Sequence, residues 1–570
     1  MKKVPKAVII GLDAATWTLI QPWMAEGGMP NLGKLMKAGV SGPLESILPP
    51  ITPPAWTSFM TGKNPGKHGI FNFVETENDT YAMNYINASS RRSPTVWKLL
   101  NDAGISVGTM NIPFTYPPEK LNGFQISGLD TPSENSPYTH PPELKQELQR
   151  HTKIEHDIRY LGFMSTDARR DHVLSEMRKV DEQWTAAALY LLEHHPQDVM
   201  MFVFMSIDTV QHYFWQYMDK SHFLHDPTAD ARFQRAVRDV YERLDATTGQ
   251  LLAKLPADTT VFVVSDHGGG PVSDRTIYLN RYLGQLGLLH YRENKGSAWS
   301  RFRSKFLRVV YSLLRSSLPP RQKGWLADLF PTLRKKAELT YTSFASIDWM
   351  RTKAYCSEVL AAPPSIWINL KGVKPSGIVD VTEYPELTEF IIRKVHELKD
   401  PRTGQPIVAR VYRREDIFHG PFAAEGADLI IDWWSEDSLH GTEPSFPEER
   451  DDPPLIIRER CPSGKSEWGG THRLHGILVA TGPALKKDVE IENAHLIDLA
   501  PTLLHLFGVA VPEDMDGSVL VDAFRPEFLA EHAVKAGAAS GTSGGDRQSG
   551  YTDEESAKVE ERLQALGYLE

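Results

Sequence analysis

Continuous apolar runs that end in acidic or histidine residues recur along the chain. The runs KAVIIGLD, VMMFVFMSID and TTVFVVSDH end at Asp13, at Asp208, and at Asp266 with His267. An unbroken apolar run of this length is typical of a strand that is buried on both faces of a sheet. The pattern therefore predicts three buried strands, each followed by residues that can carry charge.

Helical patterns lie between these predicted strands. Apolar residues recur at spacings of three and four over residues 172–195 and 229–255, which predicts two amphipathic helices. Because strands and helices alternate, we expect an α/β fold with a doubly wound, mostly parallel sheet flanked by helices. Ligands of such sheets bind at the carboxyl ends of the strands, which is where the acidic residues lie.

A basic amphipathic segment interrupts this alternation. Residues 291–340 contain twelve Lys or Arg against three acidic residues. Apolar side chains between Trp299 and Leu314 recur at helical spacing. Two interpretations stay open, namely a lobe that packs its apolar face on the body and a surface that contacts a membrane or an anionic partner.

The chain of 570 residues is longer than most single domains. We expect an α/β core from residues 1–270 and 465–530. Residues 271–464 form an inserted region that includes the basic helix and a lid or cap. Residues 531–570 form a flexible linker and a C-terminal helix.

This C-terminal helix begins with a capping-box pattern, because Thr552 stands three residues before Glu555. We expect the helix to dock on the body or on a second subunit. An oligomer is therefore one of the expected states.

Charge and cysteine content narrow the class of protein. A net charge of −11 on a mixed surface argues against a partner that is a nucleic acid polymer. Cys356 and Cys461 are the only cysteines, so neither a disulfide framework nor a thiolate metal cluster is available. Near the N terminus, Asp13 interrupts the apolar run too early for a spanning helix, and no convincing cleavage site follows. We therefore expect a cytoplasmic enzyme.

Several motifs supply the carboxylate and imidazole groups that suit Zn or Mn. Asp208 and His212 are four residues apart, so a helical turn would place both side chains on one side. Asp266 and His267 stand together on a glycine-rich turn. Taken singly, each motif also fits a helix cap, a plain turn or a surface histidine.

The motif GGTHRLHG adds two histidines, His472 and His475, of which one is expected to be a ligand. Together with Asp13, the motifs supply three carboxylates and three histidines. This number is enough for two metal sites with mixed nitrogen and oxygen ligands.

Thr52 lies in the proline- and glycine-rich stretch LPPITPPAWTSFMTGKNPGKHG, residues 48–69. A threonine hydroxyl is a poor nucleophile, but coordination to a metal favours the alkoxide, and a stiff loop fixes its direction of attack. Two ions roughly 4 Å apart stabilise the attacking and leaving oxygens of a phosphoryl displacement. Alone, Thr52 fits a turn cap; beside the predicted ligands it is a candidate nucleophile.

TPPAWTSFMTGKNPGKHGI, with GLDAAT, IDTVQH, SDHGGG and GTHR, resembles the type I phosphodiesterase/nucleotide pyrophosphatase group of the alkaline phosphatase superfamily. It is most similar to the bacterial and archaeal branch of predicted phosphohydrolases and phosphomutases. The resemblance covers most of residues 6–525. It implies an alkaline phosphatase-like fold and a two-metal phosphohydrolase that forms a covalent phospho-threonine.

The resemblance also implies a role for individual residues. The implied ligands are Asp13, Thr52, Asp266 and His267 for one ion, and Asp208, His212 and His472 for the other. His472 is preferred to His475 because the family's ligand directly follows GT. The expected ions are two divalent metals, Zn or alternatively Mn. Asn72 is the candidate contact for a phosphate oxygen, one residue closer to the HGI motif than the family pattern.

The substrate is expected to be a phosphodiester or a pyrophosphate, with a phosphomonoester or a phosphomutase reaction as the alternative. A monoesterase needs extra positive charge, for which Lys63, Lys67 and His68 are candidates, although we expect both lysines to lie on a solvated loop surface. A mutase needs a cap, which residues 271–470 are long enough to form.

Two further alternatives fit the residues less well. A scaffold that has lost activity is expected to show damaged ligands, whereas all the candidate ligands are present. Sulfatases of this superfamily carry a modified Cys or Ser where Thr52 stands.

Overall fold

The structure is a computed structural model of the chain. It describes residues 3–76, 81, 83–155, 166–292, 346–357, 364–436, 438–439, 441–442, 445, 447–458, 468–542 and 550–566. Nearly all of the basic segment at 291–340 lies outside the described residues, so both interpretations of that segment stay predictions.

A ten-stranded sheet forms the centre of the described part of the chain. Its middle strands run parallel and are, in spatial order, Gly123–Ser127, Val107–Ile112, Val199–Phe204, Ala7–Leu12 and Thr260–Val264. Three of these strands are the ones that the continuous apolar runs predict. The expected mostly parallel α/β sheet is confirmed.

The edges of this sheet are mixed in direction. The remaining strands are His475–Thr481, Val40–Glu45, Val489–Glu490, Ala494–His495 and, at the opposite edge, Thr139–His140. His475–Thr481 runs antiparallel to both of its neighbours, Thr260–Val264 and Val40–Glu45.

Alternate side chains of the central strands enter two different cores, one on each face of the sheet. Val8 and Ile10 pack into one core and Ile9 packs into the other. The first core is covered by helices Trp17–Ala25, Pro30–Ala38, Asp167–His194, Ser206–Met218 and Ala231–Leu252. The second is covered by helices Thr52–Thr61, Val96–Asp102 and Leu499–Leu506. Helices therefore flank both faces, as a doubly wound sheet requires.

The inserted region leaves and re-enters the core at neighbouring positions. Strand Gly268–Pro271 pairs antiparallel with Gly470–Arg473, and Pro271 lies opposite Gly470. Within the described part of the insert, an antiparallel sheet has the order Ala354–Cys356, Ser365–Ile368, Leu429–Ile431, Val411–Arg413. Helix Tyr384–His396 packs on one face of it.

Smaller elements complete the described fold. The short helices are Pro65–His68, Glu143–Thr152, Leu279–Gln285, Arg414–Ile417 and Pro526–Glu531. The short strands are Val74–Thr76, Met83–Tyr85, Arg275–Ile277, Gly441–Thr442, Leu455–Ile457, Val511–Pro512 and Ala536–Gly537. No helix in the described ranges combines the length and the apolar character needed to cross a membrane.

The C-terminal helix Asp553–Leu566 packs on the core of the same chain. Val559 and Leu563 are buried in the first core. The predicted capping box is present, since the Glu555 amide donates to Thr552 Oγ1 at 3.2 Å and the Thr552 amide donates to the Glu555 carboxylate at 2.9 Å. The tail therefore has a defined start and an apolar face against the first core.

Removing the cap should loosen this helix without changing the core. Thr552→Ala deletes a capping hydroxyl, a loss of about 1 kcal/mol, so amide hydrogen exchange within residues 553–566 should accelerate about fivefold. Lys558→Ala is the control, because it removes only an exposed ion pair with Glu554. Equal exchange in both variants would show that the cap does not stabilise the helix.

Candidate functional site

The carboxyl ends of three adjacent parallel strands bring three acidic side chains together. Asp13 follows the middle strand, Ala7–Leu12. Asp208 and Asp266 follow the strands on either side of it. Each of the three residues is at most 1% exposed. The predicted meeting of the acidic residues at this edge of the sheet is therefore observed.

One group of side chains forms around Asp13. Ligand atoms of Asp13, Asp266 and His267 all lie within 4.8 Å of one another. His267 Nε2 is 3.3 Å from Asp266 Oδ2 and 3.8 Å from Asp13 Oδ1. These groups could together hold a metal ion.

A second group forms around Asp208. His212 Nε2 lies 3.2 Å from Asp208 Oδ1 and 3.1 Å from His472 Nε2. His472 Nε2 is in turn 3.4 Å from Asp208 Oδ1. His267 adjoins this group too, because its ligand atom lies within 4.8 Å of those of Asp208 and His472. His267 therefore lies where the two groups of side chains meet.

The structure separates the two histidines of the GGTHRLHG motif. His472 is buried on strand Gly470–Arg473, where it lies opposite Gly269. His475 begins the next strand, and its side chain is 57% exposed, 3.9 Å from Glu45. Of the two histidines, His472 is the one that lies beside Asp208, at 3.4 Å.

A backbone carbonyl orients each buried histidine ring of the site. The Nδ1 atoms of His212, His267 and His472 donate to the carbonyl oxygens of Gly470 at 2.8 Å, Gly268 at 3.1 Å and Pro50 at 2.9 Å, respectively. Because a carbonyl can only accept, each neutral ring carries its proton on Nδ1 and a lone pair on Nε2. The Nε2 atoms that face the carboxylates are thus prepared to bind a cation.

The carboxylates repel each other across this buried space. Burial, followed by the charges of Asp266 and Asp208, raises the pKa of Asp13 well above its usual value. Burial and the Asp208 charge raise the pKa of Asp266 in the same way. For Asp208, burial also favours the protonated form, but pairing with a protonated His212 outweighs it and lowers the pKa. Burial in turn disfavours the protonated imidazole of His212, but the Asp208 charge outweighs this effect and raises the pKa of His212.

Two carboxylate oxygens of the site have no hydrogen-bond donor. Asp13 Oδ1 and Asp266 Oδ2 are buried and accept no hydrogen bond within the described residues. An unpartnered buried charge is costly, and carboxylate oxygens are good ligands of divalent metals. The residues present therefore fit a divalent cation.

Thr52 is the first residue of helix Thr52–Thr61 and is fully buried. Pro53 and Pro54 occupy the first turn of this helix, where a missing N–H costs no helical hydrogen bond and the fixed φ suits the helix. Thr52 Oγ1 lies 3.4 Å from His267 Nε2. The hydroxyl therefore lies beside the Asp13 group.

Two supporting residues were not predicted from the sequence. Trp56, one turn after Thr52, donates from Nε1 to Asp13 Oδ2 at 2.8 Å. Gln211 donates from Nε2 to the carbonyl of Ala14 at 2.9 Å, which ties the turn after Asp13 to helix Ser206–Met218. The spacing of Trp56 from Thr52 was the one available signal, because residues four apart share a helix face.

The expected solvated loop surface is wrong for Lys63. Its side chain is buried, and Nζ lies 2.6 Å from Asp514. Lys67 is partly exposed, but its Nζ lies 2.5 Å from Asp516. Both ammonium groups are therefore paired with carboxylates.

His68 is also engaged away from the candidate ligands. Its Nδ1 accepts from the Ile70 amide at 3.2 Å, so Nε2 carries the proton and donates to Ser58 Oγ at 2.9 Å. Burial, then the charges of Arg91 and Lys63, lowers the pKa of His68 to about 3. This histidine is therefore neutral at physiological pH.

Asn72 lies after the HGI motif, and its side chain bonds to the backbone amide of the next residue. Its Oδ1 accepts from the Phe73 amide at 2.8 Å. Its neighbour Phe71 packs against Phe418 of the insert, with ring centroids 4.9 Å apart. A substrate contact by Asn72 stays a prediction.

The inserted region contributes an aromatic cluster beside the site. The buried members of this cluster are Ile51, Phe418, Ala427, Ile430, Trp433 and Trp434. Ile51 directly precedes Thr52, and the Trp433 ring centroid is 6.0 Å from that of His472. The cluster therefore adjoins both the threonine and one of the histidines.

The chain is similar to several solved structures. Human ectonucleotide pyrophosphatase/phosphodiesterase 5 has a TM-score of 0.45 at 14% identity, covering 91% of this chain and 98% of that one. Phosphonoacetate hydrolase from Sinorhizobium meliloti 1021, in complex with phosphonoformate, has a TM-score of 0.48 at 15% identity, covering 87% and 94%. At these TM-scores the likeness carries no argument about function. No curated protein is significantly similar to the chain.

Family membership is established by the sequence profile. The profile described as "Type I phosphodiesterase / nucleotide pyrophosphatase" matches residues 7–431, which is well over half of the chain. The matched range includes Thr52 and every acidic candidate ligand, while His472 lies beyond it. The chain therefore belongs to the type I phosphodiesterase/nucleotide pyrophosphatase family and is a phosphoric ester hydrolase.

Proposed function

We propose that the protein hydrolyses phosphodiester or pyrophosphate bonds through a covalent phospho-threonine and depends on two divalent cations, zinc or alternatively manganese. The observation that carries this proposal is the 3.4 Å distance between Thr52 Oγ1 and His267 Nε2, at the edge of the Asp13 group. A hydroxyl, paired carboxylates and oriented imidazoles in one buried place match the requirements of phosphoryl transfer.

Each group of side chains would hold one ion. The proposed ligands are Asp13, Thr52, Asp266 and His267 for the first ion, and Asp208, His212 and His472 for the second. Ions bound there would supply positive charge that favours the ionised threonine and the charge that develops on the phosphoryl oxygens.

Thr52 takes part in both halves of the proposed reaction. In the first, Thr52 releases its hydroxyl proton to solvent and its Oγ forms a bond to phosphorus while the bond to the leaving oxygen breaks; the leaving group departs with that electron pair. In the second, water attacks the same phosphorus and releases a proton, the Oγ–P bond breaks, and the Oγ atom takes up a proton to restore the Thr52 hydroxyl. The two prolines in the first turn of the helix hold the Oγ atom in place for both steps.

Two observations favour a diester over a monoester. A monoester carries an additional negative charge, but Lys63 and Lys67 are paired with Asp514 and Asp516, and His68 is neutral. The aromatic cluster, which includes the residue before Thr52, supplies apolar side chains for contact with the second ester group of a diester. We also propose a cytoplasmic location, supported by the low cysteine content.

Thr52→Ala should lower kcat/KM for bis(p-nitrophenyl) phosphate by at least about a thousandfold, because the nucleophile is lost. Metal content, measured by mass spectrometry, should change little because the carboxylate and histidine ligands remain. Thr57→Ala is the control, since it removes another buried hydroxyl from the same helix, one that bonds only the Pro53 carbonyl. Undiminished turnover by Thr52→Ala would rule out the covalent mechanism.

Substrate class can be tested with wild-type protein that is stripped of metal and then given Zn or Mn. We expect metal-dependent hydrolysis of bis(p-nitrophenyl) phosphate to exceed that of p-nitrophenyl phosphate. The reverse preference would favour a monoesterase or mutase, and inactivity with both substrates would favour a scaffold.

His472→Ala should reduce the bound metal by about half, because one of two proposed ions loses a ligand, and should abolish most turnover. His475→Ala should leave both quantities near the wild-type values, since its side chain is largely exposed. Normal metal content in His472→Ala would refute its assignment as a ligand.

A further inference from the structure

Trp433 presents a buried hydrogen-bond donor with no protein acceptor. The residue follows strand Leu429–Ile431 of the insert and is 8% exposed. Its Nε1 atom is buried and forms no hydrogen bond within the described part of the chain. Because a buried indole N–H usually finds a partner, such a group costs free energy unless something else supplies the acceptor.

The surroundings of Trp433 place its ring beside the candidate site. Its ring centroid lies 6.0 Å from that of His472, whose Nε2 is 3.4 Å from Asp208. The ring also packs in the cluster that contains Ile51, the residue before Thr52. Trp433 thus lies near a proposed ligand and in the same cluster as the residue that precedes the proposed nucleophile.

A network of hydrogen bonds fixes the backbone around the ring. The Asp432 carboxylate accepts from the Ser435 amide at 3.0 Å and from the Ser435 hydroxyl at 2.6 Å. The Asp432 amide in turn donates to the Arg410 carbonyl at 2.9 Å. Trp434 supports the ring from the other side, with centroids 5.9 Å apart in an edge-to-face arrangement. The indole is therefore held in place before any substrate arrives.

We propose that Trp433 contacts the substrate and that its indole N–H donates to a non-bridging phosphoryl oxygen of the bound ester. This inference rests on the proposed function, because that function places the phosphoryl group beside Thr52. An anionic phosphate oxygen is a strong acceptor, and an indole N–H supplies a donor without adding positive charge. A neutral donor suits the single negative charge of a diester, so the insert contributes to selectivity as well as to the wall of the site.

Trp433→Phe tests this contact because it removes the N–H and retains an aromatic ring. We expect kcat/KM for bis(p-nitrophenyl) phosphate to fall about tenfold or more. Calorimetry with inorganic phosphate, in the presence of Zn, should show a similar loss of affinity. A second variant, with 3-benzothienylalanine at position 433, replaces the N–H by sulfur at nearly constant shape and should show the same losses, even if Trp433→Phe folds poorly.

Trp97→Phe is the matched control. Trp97 Nε1 is also buried and unpaired within the described residues, but its ring packs in the second core near Phe59. This variant should keep wild-type kcat/KM and phosphate affinity, so it corrects for the general effect of shortening a buried indole.

The two measurements distinguish this inference from the proposed function. Wild-type values of both quantities in the position-433 variants would overturn the contact and leave the proposed function standing. A wild type that binds phosphate but hydrolyses neither ester, with weaker phosphate binding in the variants, would support the contact and refute the proposed function. A wild type that neither binds phosphate nor turns over would overturn both.

Discussion

Mutual repulsion among Asp13, Asp208 and Asp266 is the constraint on which the site depends. Parallel strands end side by side, so the fold places these carboxylates together in a region that water does not reach. A hydrogen bond from Trp56 holds the Asp13 carboxylate, and one from Gln211 holds the backbone of the turn that follows Asp13. A cation that neutralises the site binds the folded state and not the unfolded chain, so ligation and folding stability are coupled.

The central sheet could be predicted from the sequence because its strands are buried on both faces. Ile9 and Ile10 enter different cores, so every position must be apolar and the run stands out in the sequence. The acidic candidates could be found for the same reason, since a charged residue at the end of such a run marks the edge of the sheet.

Contacts between distant segments could not be predicted from local pattern. His472 and His475 are three residues apart, and only the pairing of His472 with Gly269 across the ladder decides which one is buried; at the sequence level the choice came from the family resemblance. Lys63 was predicted to lie on a solvated surface because its partner, Asp514, lies 451 positions away in the sequence. The aromatic cluster was missed likewise, since Ile51 and Trp433 meet only after the insert folds back on the core.

The ladder between Gly268–Pro271 and Gly470–Arg473 also defines how the insert is attached. The strand that leads into the insert and the strand that leads out of it are hydrogen-bonded neighbours. The insert therefore begins and ends at the same place on the core. The length and sequence of an insert attached in this way can vary without changing the register of the central strands. Both strands of the ladder adjoin histidines of the site, however, because His267 precedes one and His472 lies within the other. An insert of different size could therefore change the surface beside Thr52 while the core keeps the same candidate ligands.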